Sequence, residues 1–295
     1  MMRAEEPTER RTRVSGVELV YFEWRDDLRG REPSILLVHA TGFHARVFDA
    51  LVGHLGDRHV ISVDQRGHGR SEKLAIRHWR VMGEDVGALV RELGLRDAVG
   101  VGHSMGGHAI TEAAAACPGA FQRLVLIDPV IASPGDYSRG GWQIDLHGGK
   151  THPTAKRKNH FASVEAMIER FRERPPYSLF EPAALRDYCQ YGLLPAPDGE
   201  GYVLACPPEV EASVYMSSRS NPGVYASIRA LDIPVLILRA KAPGSDRDVM
   251  DFSSSPTWPR LVDEFRQGSE LYLPDHTHFL PMEAPKLVAG YVLGA

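Results

Sequence analysis

The sequence predicts an α/β fold: a mostly parallel sheet with helices on both faces and an inserted helical cap. Three observations carry that reading. Short runs rich in Val, Ile and Leu, bounded by turn residues, recur with helix-length stretches between them. Strands covered on both faces have no wet side, so they read as continuous apolar runs without alternation. Between residues 127 and 233 this rhythm stops, and the intervening segment is polar, helix-like and too long for a loop inside a compact domain. The composition, 43% hydrophobic and 24% charged over 295 residues, is that of a globular chain and excludes the disordered, collagenous and coiled-coil classes.

Taken in order, residues 1–13 are charged and hold no apolar run of signal-peptide length, so the expectation is a frayed tail without a secretory leader. Residues 34–38 (SILLV) are the first buried strand and 60–63 the second. The stretch 79–93 is amphipathic: Val81, Val86, Leu89, Val90 and Leu93 recur at roughly helical spacing, and Gly94 follows as a stop. A strand at 98–101 leads into a small-residue helix at 105–116, ended by Pro118, and another strand follows at 124–127. Within the inserted segment 164–171 and 183–191 are candidate helices, with Pro175-Pro176 and Pro207-Pro208 as breakers. The sheet resumes with 235–238 and a last strand around 270–273. The expected division is therefore a core of residues 1–132 and 231–295 and a cap of residues 133–230.

Several function classes are excluded early. Thirty-four Lys and Arg against 38 Asp and Glu give a net charge of −4, and the basic clusters are short, so nucleic acid is not an expected partner. No run of about 20 apolar residues is present to span a bilayer, so no membrane partner is expected. Three scattered cysteines, Cys117, Cys189 and Cys206, cannot build a disulfide framework or a Cys-rich zinc module, which fits a reducing, cytoplasmic compartment. Gly100 and Gly102 start a Gly-x-Gly-x-x-Gly pattern whose third glycine falls on Met105, so the dinucleotide fingerprint fails. Phosphate loops and His-Glu-x-x-His helices are absent too. No cofactor and no metal are expected.

Chemistry enters at Gly102-His103-Ser104-Met105-Gly106, between the strand at 98–101 and the helix at 105–116. A serine on a sharp strand-to-helix turn adopts a strained backbone, and flanking glycines let neighbouring chain approach without a Cβ clash. Three further motifs accompany it: His39-Ala40-Thr41-Gly42-Phe43 after the first buried strand, Asp64-Gln65-Arg66-Gly67-His68-Gly69-Arg70-Ser71 after the second, and Thr277-His278-Phe279 near the end. In these four motifs the sequence resembles the α/β-hydrolase family, over nearly the whole chain outside the tail and much of the cap. Family members usually carry His-Gly at the first motif and Gly-His-Phe at the last, so Ala40 and Thr277 are departures, both small.

A free hydroxyl is a poor nucleophile at neutral pH, so Ser104 needs a base, and histidine has the pKa to accept and return a proton. His278 is the candidate: it follows the last strand, and Phe279 with Glu283-Ala284-Pro285 resembles the family's segment after its catalytic histidine. His276 is the structural rival, and His276-x-His278 lacks a neighbouring ligand to complete a metal site. The resemblance allows two places for the acid that orients the histidine. One is Asp128 at the end of strand 124–127; the other follows strand 235–238, where Asp246, Asp248 and Asp251 lie but Pro243 occupies the usual acid position. Asp128 is favoured, with Asp248 and then Asp251 as alternatives. An oxyanion needs two backbone N–H donors. One is expected from Met105, at the helix N-terminus, and the resemblance assigns the second to Thr41. His39, His68 and His103 read as structural hydrogen-bonding residues.

Phe43, Trp142, Phe161, Phe171, Tyr177, Phe180 and Trp258 either line an apolar acyl pocket or belong to the core, and Lys156-Arg157-Lys158 is either a solvated cap face or an attractor for an anionic substrate. The expectation is a single-domain serine hydrolase that cleaves an ester or related acyl bond of a small, apolar acyl compound through an acyl-enzyme on Ser104. Epoxide hydrolases and haloalkane dehalogenases share the fold and cap but attack with an aspartate, where this chain has Ser104. Two alternatives stay open: a carbon–carbon bond hydrolase or cofactor-free haloperoxidase with the same residues, and a hydrolase-fold ligand receptor with little turnover.

Overall fold

The computed structural model describes residues 5–139, 151–244 and 252–294. Among them, eight strands form one sheet: β1 (Thr8–Val14), β2 (Val17–Trp24), β3 (Ile35–Val38), β4 (Val60–Asp64), β5 (Ala98–His103), β6 (Phe121–Ile127), β10 (Val235–Ala240) and β11 (Gly268–Leu273). Their order across the sheet is β1-β2-β4-β3-β5-β6-β10-β11. From β4 to β11 every neighbouring pair is parallel, whereas β1 pairs with β2, and β2 with β4, antiparallel. All five strands expected from the apolar runs are present, with their C-terminal ends at or beyond the expected ones.

The frayed-tail expectation is corrected. Residues 8–14 are the edge strand β1, in register with β2 from Thr8↔Glu23 to Val14↔Val17. The misreading has a physical cause: β1 (TERRTRV) is mostly exposed and joins the sheet through its backbone and through Arg11, whose guanidinium donates to Glu18 at 3.1 Å. A charged edge strand resists pairing with another molecule, and it carries no apolar signature. β2 was equally unrecognised although it is almost wholly buried.

Helices cover both faces. One face packs α2 (Arg80–Glu92), α3 (Met105–Ala116) and α8 (Val224–Ala230) over a core that includes Leu36, Val63, Leu89, Ile110, Leu124 and Ile228. The other packs α1 (Asp49–Val52), α9 (Leu280–Glu283) and α10 (Pro285–Leu293) over Leu37, Phe48, Val101, Ile127, Leu238 and Val288. The α2 stripe of Met82, Val86, Leu89 and Val90 turns inward, and the alanines of α3 let the two helices approach closely.

The inserted segment is not purely helical. It holds α4 (Pro134–Ser138), α5 (Val164–Phe171), α6 (Pro182–Tyr191) and α7 (Pro208–Met216), and also a small antiparallel sheet, β7 (His160–Phe161), β9 (Tyr202–Leu204) and β8 (Leu193–Pro195) in that order. Helix starts follow local chemistry. Ser163 accepts from the Ala166 N–H at 3.1 Å to cap α5, and Ser133 does the same for Asp136 before the proline that opens α4. No helix of the described residues is long and apolar enough to cross a membrane.

Candidate active site

Parallel strands deliver their C-terminal ends to one edge, where successive loops meet. Here Thr41 follows β3, Ser104 follows β5, Asp128 follows β6, Ala240 ends β10 and His278 lies shortly after β11. Ser104 has φ 57° and ψ −117°, outside helix and strand geometry, and its N–H donates to Ile127 O at 2.9 Å. The turn needs Gly106: a Cβ there would lie 2.1 Å from the Val38 carbonyl oxygen, so any side chain would push β3 away from α3.

Ser104 Oγ lies 2.9 Å from His278 Nε2, and His278 Nδ1 lies 2.6 Å from Asp128 Oδ2. A carboxylate accepts, so His278 Nδ1–H donates to Asp128, which leaves Nε2 to accept from the Ser104 hydroxyl. All three side chains are buried. Asp128 Oδ1 is filled separately: it accepts from Ser255 Oγ at 2.5 Å, from the Ala240 N–H at 3.1 Å and from Thr257 Oγ1 at 3.2 Å. Burial pushes this carboxyl up, but the hydrogen bonds from His278, Ser255 and Ala240, with the charge of His278, outweigh it and hold Asp128 below the usual carboxylate range. Ser255 and Thr257 were not singled out from the sequence. A short run of hydroxyl residues in a loop carries no catalytic pattern until the fold brings it to the end of β6.

The two histidine candidates separate cleanly. His276 Nδ1 faces Glu283 Oε2 at 3.5 Å and is not at the serine. Glu283 also accepts from the Thr277 N–H at 3.0 Å and from the Thr277 hydroxyl, so the residue that departs from the family's glycine helps tie down the loop before His278. His103 Nε2–H donates to the His278 carbonyl at 2.7 Å. Burial first, and then the neighbouring His278, push the His103 imidazole down to about 3, so it is a neutral support of the loop. His39 is likewise internal: its Nδ1–H donates to Ala40 O at 2.8 Å and its Nε2 accepts from the Gln65 N–H at 3.0 Å. The alternative acids Asp248 and Asp251, like Trp142, lie outside the described residues.

A cavity of about 110 Å³ opens on Ser104 and His278, with Thr41, Phe43, Phe252 and Phe279 in its walls. The Met105 N–H is the first of α3 and has no acceptor inside the helix. Thr41, across the cavity, places its hydroxyl 3.5 Å from Met105 Sδ, so the two segments meet beside the serine. Of the aromatic residues singled out from the sequence, Phe43 lines this cavity, and Phe171 and Tyr177 line a neighbouring one of about 440 Å³. Phe161 and Phe180 are buried in the core, and Trp258 packs against it. Tyr215 and Phe252, which wall both cavities, come from distant segments and had no sequence signal. A third cavity, about 630 Å³, is the largest of the three and borders α1 and α6, but it touches none of Ser104, His278 and Asp128.

Comparison with known proteins agrees with this fold. The Alpha/beta hydrolase family matches residues 35–290. A 2-(acetamidomethylene)succinate hydrolase of Mesorhizobium japonicum is 36% identical over 102 residues, 34% of this chain and 37% of that protein. A pimeloyl-[acyl-carrier protein] methyl ester esterase of Methylococcus capsulatus is 36% identical over 114 residues, 38% of this chain and 42% of that protein, and a non-heme haloperoxidase of Rhodococcus erythropolis is 36% identical over 99. The chain thus aligns with well under half the length of these curated relatives. The crystal structure of E-2-(acetamidomethylene)succinate hydrolase superposes with a TM-score of 0.73 at 23% identity, covering 98% of this chain and all of that one. With a family match over most of its length and a parallel sheet that carries a serine on the turn between β5 and α3, the chain belongs to the α/β hydrolase family.

Proposed function

We propose that the protein is a serine hydrolase that cleaves an ester or related acyl bond through an acyl-enzyme on Ser104. The observation that carries this reading is the continuous hydrogen-bond chain from Ser104 Oγ through His278 to Asp128, with distances of 2.9 and 2.6 Å. Ser104 Oγ attacks the carbonyl carbon while His278 Nε2 takes its proton. Asp128 keeps the proton on Nδ1 and stabilises the imidazolium. The carbonyl oxygen, now an anion, is received by the N–H groups of Thr41 and Met105, the latter at the positive end of α3. Collapse of the intermediate breaks the bond to the leaving group, which departs with the proton from His278. A water molecule then gives a proton to His278 and attacks the acyl carbon, and Ser104 leaves with its proton restored.

The aromatic walls of the Ser104 cavity support an apolar acyl part, and the inserted segment that carries α5, α6 and α7 acts as a cap over it. The esterase among the relatives supports ester cleavage; the haloperoxidase keeps a second chemistry in view for the same three residues. The test combines a fluorophosphonate probe with an ester, lactone and diketone panel and product analysis. The expected result is probe attachment at Ser104, ester turnover by the wild type, and a loss on the order of 10⁶ in kcat for Ser104→Ala with folding retained. Absence of labelling would favour a receptor with little turnover, and diketone cleavage without ester cleavage would favour carbon–carbon hydrolysis.

A further inference from the structure

The 440 Å³ chamber next to the Ser104 cavity differs from it in charge. The two share Thr41, Phe43, Tyr215, Phe252 and Phe279, so they are contiguous. The outer chamber adds four basic side chains, Lys156, Arg157, Lys158 and Arg170, against one carboxylate, Glu211. That carboxylate is already committed. It is buried and accepts from Arg157 Nη1 at 2.6 Å, while Arg157 Nη2 donates to the Tyr188 hydroxyl at 3.2 Å. Arg157 and Glu211 therefore form a neutral piece of wall.

The other three cations have no carboxylate within ion-pair distance among the described residues. Lys158 Nζ sits 5.0 Å from the centre of the Phe161 ring, and Arg170 projects from α5, a different segment from the one that carries the lysines. Solubility alone accounts poorly for unpaired cations that converge from two segments on one chamber in a chain of net charge −4. A recess lined by one sign of charge concentrates the field and attracts the opposite sign.

We infer that the substrate of Ser104 is an acid: an acyl compound with an anionic group, a carboxylate or a phosphate, held in the outer chamber by Lys156, Lys158 and Arg170 while its scissile carbonyl lies against Ser104. This rests on the serine-hydrolase reading and adds the substrate class. The bound anion is bracketed by cations and by the Phe171 and Tyr177 rings, and its apolar linker crosses Phe43 and Phe252.

The test compares three p-nitrophenyl esters of equal chain length: the hexanoate, the mono-ester of adipic acid, and an ester with a terminal phosphate. At low ionic strength the wild type is expected to prefer an anionic ester over the hexanoate by roughly tenfold in kcat/KM, and the preference should shrink as salt screens the charges. The arm with the larger preference separates carboxylate from phosphate. Combined Lys156→Gln, Lys158→Gln and Arg170→Gln should bring the ratio toward one; should that protein not fold, the two exposed lysines alone are replaced and the ratio should still fall. A ratio near one in the wild type, or a ratio the variants leave unchanged, overturns the inference. Should no ester be hydrolysed, calorimetric binding of adipate against adipamide decides the matter separately. Tighter binding of adipate that the lysine variant abolishes would uphold the anion site while the serine-hydrolase reading falls, and equal binding would overturn the site.

Discussion

The two walls of the site are built on different physical terms. On the core side Ser104, Asp128 and His278 sit at or beyond strand ends, buried and joined to one another by hydrogen bonds, and Asp128 is held further by the Ala240 N–H of β10 and the Ser255 hydroxyl of a loop. On the cap side Arg157, Glu211, Tyr177 and Tyr188 hold one another through side-chain contacts, and the lysines beside them face solvent. The frame that must keep atoms in register for chemistry is anchored in the sheet. The wall proposed to select the substrate hangs on pairs of side chains.

Substitutions can sharpen that contrast, from the core side outward. Ser104→Ala is the upper limit, as above. Asp128→Asn should lower kcat by about 10⁴ at a nearly unchanged melting temperature. The asparagine oxygen can still accept from Ser255, Thr257 and the Ala240 N–H, but its amide then donates to His278 Nδ1. That moves the imidazole proton to Nε2 and leaves no acceptor for the Ser104 hydroxyl. An unchanged kcat would return the acid role to Asp248 or Asp251.

Ser255→Ala removes one of three donors from the far oxygen of Asp128, and a loss of roughly tenfold in kcat with little change in KM is expected from a weaker, less well-oriented carboxylate. A KM effect alone would show that Ser255 touches substrate instead. On the cap side, Glu211→Gln leaves the half-buried Arg157 without its counter-charge, and thermal or denaturant unfolding should report a loss of about 2 kcal/mol. The same carboxylate lies 2.8 Å from where a Cβ on Gly42 would be, against the loop that carries Thr41, so KM should rise while kcat stays within a few-fold. A fall in kcat as large as that of Asp128→Asn would erase the distinction between the walls.

The smallest effect is one of pH. Asp128 is held below the usual range in the folded state, so its carboxylate stabilises the fold above the unfolded value of about 3.9 and loses that contribution as pH falls through the folded value. Melting curves between pH 5 and the acid limit should therefore drop less steeply for Asp128→Asn than for the wild type. Parallel curves would mean that the hydrogen bonds to Asp128 do not distinguish its charged form.

Much of the core side was legible because its signals are contiguous in sequence. A strand, a Gly-x-Ser-x-Gly turn and a helix occupy 98–116 without interruption, and each of the five expected apolar runs became a strand of the sheet. Legibility failed where the determinant is an absence or a sum. The edge strand β1 buries too little apolar surface to mark its sequence, and the cavity walls draw Tyr215 and Phe252 from segments that no local pattern links.

By itself, then, the sequence determined the parallel sheet, the strained serine on its turn and the histidine after the last strand. Burial and backbone strain act through neighbours in the chain, and local patterns record them. Which carboxylate meets His278 was a tertiary decision. Asp128 does so because β6 pairs with β10, which brings the Ala240 N–H, and beyond it Ser255 and Thr257, onto the free oxygen of a buried carboxylate. A carboxylate keeps its charge at zero exposure only when donors surround it, and those donors lie more than a hundred residues away in sequence. The convergence of Lys156, Lys158 and Arg170 on the chamber beside Ser104 has the same origin: separated segments share one cavity only after the chain has folded.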